Sequence, residues 1–164
     1  MHPMQNLTLI PFGLVGAVYR CPMPFGKFDV DASTLSELQQ ADVKHVITLV
    51  EEFEWWKKAN CDLPLQYKAA GLDMLHCPVP DFSIPQDPNA YMQVVLQAIT
   101  WAKSGEALAV HCNAGIGRTG TFLAVMAMQI FYWPPNQAVK WVRDLIPTAV
   151  ENELQYDFVM SLRN

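Results

Sequence analysis

Short apolar runs, each bounded by polar residues, glycine or proline, predict buried β-strands along the chain. The runs cover Leu14–Tyr19, Val43–Val50, Met74–Val79 and Ala107–Val110. Residues 1–11 carry no comparable pattern. Strands of this kind, interleaved with helical segments, indicate an α/β fold with a single, mostly parallel central sheet flanked by helices.

Apolar residues at helical spacing predict the helices that flank this sheet. The predicted helices cover Leu35–Gln40, Leu63–Ala70, Asn89–Lys103, Thr121–Tyr132, Ala138–Ile146 and Glu151–Leu162. Asp31 or Ser33 is suited to cap the first of them, and Asp87 to cap the third. Gly71 is typical of a residue that ends a helix, here the second. The last predicted helix is amphipathic, so we expect it to cover the sheet.

Length and composition indicate one compact domain over residues 1–164. A hydrophobic content of 51% is enough for a well-formed core, whereas 164 residues are too few for two. The longest strongly apolar run, Phe122–Trp133, is too short to cross a bilayer, so no membrane anchor is expected. We expect a monomer.

Cysteine spacing and net charge limit the compartments, cofactors and partners that we expect. The 4 cysteines show neither paired nor metal-ligand spacing, and no apolar signal segment precedes Pro11. We therefore expect reduced thiols, a cytoplasmic location, and no metal or cofactor. A net charge of −5 with 11 Lys+Arg argues against a nucleic acid partner, because such binding requires many phosphates to be neutralised. The acidic composition favours a partner that carries individual phosphate groups over a nucleic acid.

The most informative stretch runs from Val110 to Gly120 and has the pattern of a strand, a loop and a helix. A short loop at a helix N-terminus directs backbone amides inward, and two glycines allow it to wrap a tetrahedral anion. The predicted anion-binding positions are Asn113, Ala114, Gly115, Ile116, Gly117 and Arg118. The pattern thus predicts a phosphate-binding loop.

Cys112 lies at the start of this loop. The helix dipole and Arg118 favour its ionised thiolate over the thiol. The planar guanidinium of Arg118 also matches two phosphoryl oxygens. Together these residues predict a nucleophile aimed at phosphorus, with the transferred oxygens held by fixed donors. A purely structural cysteine would not require the glycines and the arginine around it.

The motif resembles the signature of the cysteine-dependent protein phosphatases, which is His-Cys, five residues, Arg, then Thr or Ser. His111, Cys112, Arg118 and Thr119 match it position by position. The size of the chain and the order of its predicted elements are similar to the compact dual-specificity phosphatases, particularly the kinase-associated and small prokaryotic or archaeal members. The resemblance implies the corresponding dual-specificity phosphatase-like fold.

Transfer of a phosphoryl group to Cys112 expels a poor leaving group, which requires a nearby acid. In the family this acid is an aspartate on a loop between a strand and the long middle helix. Asp81, after Pro80, stands in that place. Asp87 is the competing candidate, but its position before Pro88 is explained by a helix-capping role. We therefore favour Asp81.

By this resemblance, Cys112 attacks phosphorus and forms a cysteinyl-phosphate. Arg118 and the amides of residues 113–118 hold the phosphoryl oxygens. Asp81 protonates the leaving oxygen and then acts as the base for the water that hydrolyses the intermediate.

The resemblance also implies supporting residues. His111 would orient the loop, and Thr119 would give its hydroxyl to the sulfur. Gln155 matches one of two glutamines that position the hydrolytic water in some members. The other position is occupied by Glu151, whose carboxylate would repel a substrate dianion, or which simply starts the last helix.

For two segments the sequence leaves two interpretations open. Glu51 or Glu52, after the second predicted strand, would orient a site arginine, because ligands bind at that edge of parallel sheets. The simpler interpretation is that they form the first turn of a helix, where acidic residues are favourable. The loop Arg20–Asp31, which contains Phe25, is either a substrate rim or a plain connector.

The expected substrate is a phosphorylated protein, with phosphotyrosine favoured and phosphoserine or phosphothreonine left open. Phosphoinositide phosphatases of the superfamily tend to carry lysines in the loop, where Asn113, Ala114 and Ile116 are neutral. RNA 5′-triphosphatases manage without the acid and carry basic surfaces. A non-catalytic phosphotyrosine-binding module would usually lack the nucleophile or the arginine, and both are present.

Overall fold

The computed structural model describes residues 3–163, and these form one five-stranded sheet flanked by helices. The strands are β1 Thr8–Ile10, β2 Val18–Cys21, β3 His45–Thr48, β4 Asp73–His76 and β5 Leu108–His111. Their order across the sheet is β1-β2-β5-β3-β4. Only β1 runs antiparallel to its neighbour, and the other pairs are parallel, as the sequence predicts.

The helices follow the predicted order. They are α1 Thr34–Gln40, α2 Glu52–Glu54, α3 Leu63–Ala69, α4 Pro88–Lys103, α5 Gly117–Phe131, α6 Pro135–Leu145 and α7 Glu153–Ser161. A 3₁₀ turn covers Val30–Ala32, and a π-helical segment, Trp55–Ala59, follows α2 directly. Within residues 3–163 no helix combines the length and apolar character that a membrane crossing needs.

The centre of the domain is β5 and the helix that follows it. All residues of β3 and β5 are buried, as continuous apolar strands of a parallel sheet should be. In α5 every residue from Gly117 to Met128 is buried, and the helix packs against α4, α6 and α7. The loop between β5 and α5 is therefore anchored on both sides by the core.

The first part of the chain differs from its prediction. The strand predicted from Leu14 begins at Val18, because the preceding residues pack against the turn before β5. Gly16 donates its N–H to the Ala102 carbonyl at 2.7 Å, and a side chain at Gly16 would collide with the Glu106 backbone. The edge strand β1 has no signal in the hydrophobic pattern and was not predicted.

The helix caps are partly as predicted. Asp87 caps α4 by accepting hydrogen bonds from the N–H groups of Asn89 and Ala90. Gly71, with φ of +76°, follows α3 as expected. For α1, Ser33 occupies the predicted N-cap position, but its side chain makes no capping hydrogen bond. Instead, a carboxylate oxygen of Asp29 accepts from both the N–H and the hydroxyl of Thr34.

Candidate active site

The predicted phosphate-binding loop lies at the carboxyl edge of the parallel strands. His111, the last residue of β5, pairs with Cys21 of β2 and Thr48 of β3, so three strands end together beneath Cys112. Ligands bind at this edge in open α/β sheets. Cys112 itself is 3% exposed and lies at the floor of the loop.

Side chains and backbone outside the loop fix its orientation. Arg20 donates to the carbonyls of Gly115 and Ala114 at 2.9 and 2.8 Å, and the Met23 N–H donates to the Asn113 carbonyl at 3.0 Å. Because C=O and N–H point in opposite directions across a trans peptide, the following amides face away from Arg20, into the loop. Sequence reasoning did not predict this role for Arg20.

Gly115 is required by the conformation of this loop. It has φ of +76°, and a side chain there would collide with the Cys21 carbonyl. Only glycine adopts this conformation without strain. Gly115 therefore turns the loop so that its amides converge on one point.

The loop opens into a pocket of about 250 Å³. The pocket is lined by loop residues between Cys112 and Arg118, by Asp81 and Glu151, and by the rings of Phe28 and Phe82. Both rings are well exposed, at 44% and 64%. The walls of the pocket thus combine a nucleophile, one cation, two carboxyl groups and an aromatic rim.

Arg118 is held rigidly under the pocket. Its guanidinium is 2% exposed and forms a bidentate ion pair with Glu54, with N···O distances of 2.7 and 2.9 Å. It also donates to the Val79 carbonyl at 2.9 Å and lies 3.0 Å from Asp81. Burial acts to lower the pKa of Arg118, but Glu54, Cys112 and Asp81 together raise it above its usual value. Arg118 therefore carries a permanent positive charge in a fixed direction.

Glu54 is the arginine partner that the sequence did not identify. It is fully buried and also accepts from the Lys58 ammonium at 2.9 Å and the Glu51 N–H at 2.8 Å. Burial acts to raise its pKa, but the bonds from Arg118, Lys58 and Glu51 lower it below its usual value. Neither Glu51 nor Glu52 orients the arginine, because the turn of α2 directs Glu54 inward.

Asp81 lies at the predicted position. Its two oxygens are 3.0 Å from the Arg118 guanidinium and 3.0 Å from the Lys58 ammonium. Burial acts to lower the pKa of Lys58, but its bonds to Glu54 and Asp81 raise it above its usual value. Lys58 thus links the buried carboxylate of Glu54 to the half-buried carboxylate of Asp81. Asp87, the competing candidate, caps α4 instead.

His111 is a neutral imidazole that holds the peptide of Cys112 in place. Burial lowers its pKa to about 4, so the imidazolium is disfavoured at neutral pH. The Nδ1 atom lies 2.8 Å from the Cys112 carbonyl, which only accepts, so Nδ1 carries the proton. Nε2 then presents its one lone pair between the hydroxyls of Thr48, at 3.0 Å, and Tyr67, at 2.8 Å, and accepts a hydrogen bond from one of them. This network fixes the peptide that carries the nucleophile.

Two of the predicted supporting residues are placed differently from expectation. Within residues 3–163 the buried Thr119 hydroxyl makes no hydrogen bond, so the expected bond to the sulfur is absent. Gln155 is fully buried, with its oxygen accepting from the Glu151 N–H at 2.9 Å and its nitrogen 3.4 Å from the Ser83 carbonyl. It connects the start of α7 to the loop that carries Asp81.

Known sequences resemble this chain over more than half of its length. A sequence profile described as "Polymorphic toxin system, DSP-PTPase phosphatase" matches residues 24–130. The human protein named phosphatidylglycerophosphatase and protein-tyrosine phosphatase 1 is 29% identical over 116 residues, which cover 70% of this chain and 56% of that protein. The chain thus spans little more than half the length of that relative.

Comparison with solved structures gives the same fold. Kinase associated phosphatase, with a serine in place of its catalytic-site cysteine, superposes with a TM-score of 0.84 over 96% of this chain and 94% of its own, at 20% identity. Tk-PTP in its active form gives a TM-score of 0.71 at 26% identity, covering 87% of this chain and 88% of its own.

Proposed function

Because the chain belongs to the DSP-PTPase phosphatase family known from polymorphic toxin systems, we propose that it hydrolyses phosphotyrosine in proteins through a cysteinyl-phosphate intermediate. One observation carries the proposal. A single pocket holds the thiol of Cys112, the clamped guanidinium of Arg118 and, 3.0 Å from that guanidinium, the carboxylate of Asp81. These are a nucleophile, an oxygen clamp and a proton donor.

In the first step Cys112 attacks phosphorus in line with the leaving oxygen. The S–P bond forms as the P–O bond breaks, and Asp81, which enters this step as the protonated carboxylic acid, transfers its proton to the leaving oxygen and becomes the carboxylate. Both Nη atoms of Arg118 are bonded to Glu54, with Nη2 also paired to Asp81. Phosphoryl oxygens therefore compete with Asp81 for Nη2, which frees Asp81 to face the leaving group.

In the second step water replaces the sulfur. Asp81 takes a proton from the water, the P–O bond forms, and the thiolate of Cys112 leaves. The amides of the loop and Arg118 hold the three phosphoryl oxygens throughout, so that the developing charge is met by donors that need no rearrangement.

The pocket walls favour an aryl phosphate. The exposed rings of Phe28 and Phe82 stand on the rim and suit contact with a flat ring. Arg118 is the only cation among the lining residues, and it is already paired with two carboxylates. A ligand with several phosphates would find no further positive charge in the lining, which disfavours inositol polyphosphates.

A lipid phosphomonoester is the second candidate, because the human relative is named as a phosphatidylglycerophosphatase as well as a tyrosine phosphatase. The test is phosphate release, in the presence of a metal chelator, from matched phosphotyrosine and phosphoserine peptides and from vesicles of phosphatidylglycerophosphate. We expect the phosphotyrosine peptide to give the highest kcat/KM by at least about tenfold. Preference for the vesicles would instead establish the lipid activity.

We expect Glu54→Gln to lower kcat/KM by about 10- to 100-fold, because the buried bidentate ion pair with Arg118 is replaced by a single hydrogen bond to a neutral amide oxygen. Steady-state hydrolysis of an aryl phosphate measures the effect. Glu52→Gln, an exposed change in the same helix, is the matched control and should retain parental activity. Thermal melting separates loss of fold from loss of the clamp. Equal activity of a folded Glu54→Gln variant and the parent would contradict the role of Glu54.

A further inference from the structure

Glu151 places another carboxyl group at the mouth of the pocket. Its side chain lies directly against Gly117, where a methyl group on Gly117 would collide with the carboxylate. Gly117 does not have the positive φ that would itself require glycine. Glu151 therefore lies in contact with the backbone of the phosphate-binding loop at Gly117.

Glu151 shares the pocket with one other carboxyl group, one thiol and one cation. Asp81 faces it from the loop after β4, and Cys112 and Arg118 face it from the phosphate-binding loop. Arg118 is already paired with Glu54 and Asp81, so little of its charge remains for Glu151. Burial, followed by the charge of Asp81, raises the pKa of Glu151, whereas Gln155 and Arg118 act in the opposite direction.

On the outer side of Glu151 the described chain provides one cation but no ion pair. The groove there is lined by Arg143 of α6 and by Glu153 and Tyr156 of α7. Arg143 directs its Nε and Nη2 atoms to the carbonyls of Ala149 and Val150, at 2.9 and 2.8 Å. Within the described residues Arg143 therefore makes no ion pair with Glu151.

A phosphate dianion would enter a site that contains more carboxyl groups than cations. Arg118 and Lys58 supply two positive charges, and the carboxyl groups are those of Glu54, Asp81 and Glu151. Repulsion between the dianion and an ionised Glu151 is reduced if that carboxylate takes up a proton. A protonated carboxyl group would in addition donate a hydrogen bond to a phosphoryl oxygen.

We propose that Glu151 is a specificity-determining residue that binds a proton when a phosphate dianion enters the pocket, so that substrate recognition is coupled to proton uptake. This inference rests on the proposed phosphatase function and extends it. It predicts that the enzyme favours phosphate groups without acidic neighbours, and that affinity for dianions falls as pH rises above the range in which Glu151 is protonated.

The test compares Glu151→Gln, a neutral mimic of the protonated side chain, with the parent. We measure kcat/KM for one aryl phosphate from about pH 5 to about pH 8 and take the ratio of variant to parent, which cancels ionisation of the substrate. We expect the ratio of variant to parent to be near one at the acidic end of this range. At the alkaline end the ratio should rise to about five to ten. Added salt should reduce this rise, because Glu151 is exposed to solvent.

A binding measurement keeps this inference separate from catalysis. Calorimetry with tungstate at slightly alkaline pH, where tungstate is the monomeric dianion, in buffers of different ionisation enthalpy reports proton uptake directly. The parent is expected to take up more protons than Glu151→Gln, whereas Glu153→Gln, an exposed change two residues away, should match the parent. A ratio independent of pH, or equal proton uptake by parent and Glu151→Gln, overturns the inference. Absence of turnover by the parent overturns the proposed function, and the tungstate result still decides the role of Glu151.

Discussion

Cys112→Ser is expected to lower phosphate release by at least about 10⁴-fold while leaving the fold intact. A serine hydroxyl is close in size to the thiol but is not ionised at neutral pH, so the attacking anion is lost. The surrounding donors, Arg118 and the loop amides, remain in place. Steady-state hydrolysis of an aryl phosphate measures the loss, and binding of a phosphotyrosine peptide should persist.

Cys61→Ser provides the matched control for this variant. Cys61 is half-buried and lies outside the pocket, so the same chemical change there should leave kcat within about twofold of the parent. If Cys112→Ser retained activity within about tenfold of the parent, Cys112 would not be the nucleophile.

Asp81→Asn is expected to give the second largest effect, and its size should depend on the leaving group. An amide cannot transfer a proton, so phosphotyrosine peptides should lose about 10²- to 10³-fold in kcat/KM. Aryl phosphates with strongly acidic phenols should lose less than about tenfold, because their leaving oxygens need no protonation. The measurement is a plot of log kcat/KM against leaving-group pKa for parent and variant.

Asp87→Asn is the control for Asp81→Asn. Asp87 caps α4, and asparagine is also a favourable cap, so both the stability and the leaving-group dependence should stay close to the parent. An equal loss for all leaving groups in Asp81→Asn would show that Asp81 acts through the ion pair with Arg118 and not as the acid.

The site residues that the sequence identified are those placed by a local motif or by the order of elements along the chain. Cys112 and Arg118 lie in one strand–loop–helix unit, in which the glycines, the helix start and the arginine all indicate an anion site. Asp81 was found through the family resemblance, in which the acid lies on a loop between a strand and the long middle helix, and its strand β4 runs parallel to β3 in the sheet. For these residues the order of elements along the chain is enough to bring them together.

The residues that sequence did not identify depend on long-range packing. The choice of Glu54 over its acidic neighbours follows from the rotation of α2 and its pairing with Arg118, 64 residues away in the chain. Arg20 supports the loop across 95 residues, and Tyr67 reaches His111 across 44. No local pattern distinguishes such side chains from ordinary surface or core residues.

Glu151 is the position at which this chain departs from the family pattern. Its position beside the pocket follows from the resemblance, but its contact with Gly117 and the surrounding excess of carboxyl groups over cations are visible only in the structure. The sequence left two roles open for this residue. The structure places the carboxylate at the mouth of the pocket, before α7 begins at Glu153.

The most direct test of the central claim is to trap the covalent intermediate. The parent is mixed with excess aryl phosphate, quenched within the first turnovers and digested, and the peptide that contains Cys112 is analysed by mass spectrometry. The account predicts one phosphoryl group on the sulfur of Cys112, and none in Cys112→Ser. Rapid turnover by the parent with no phosphoryl group on Cys112 at any quench time, under conditions that preserve thiophosphate bonds, would contradict it.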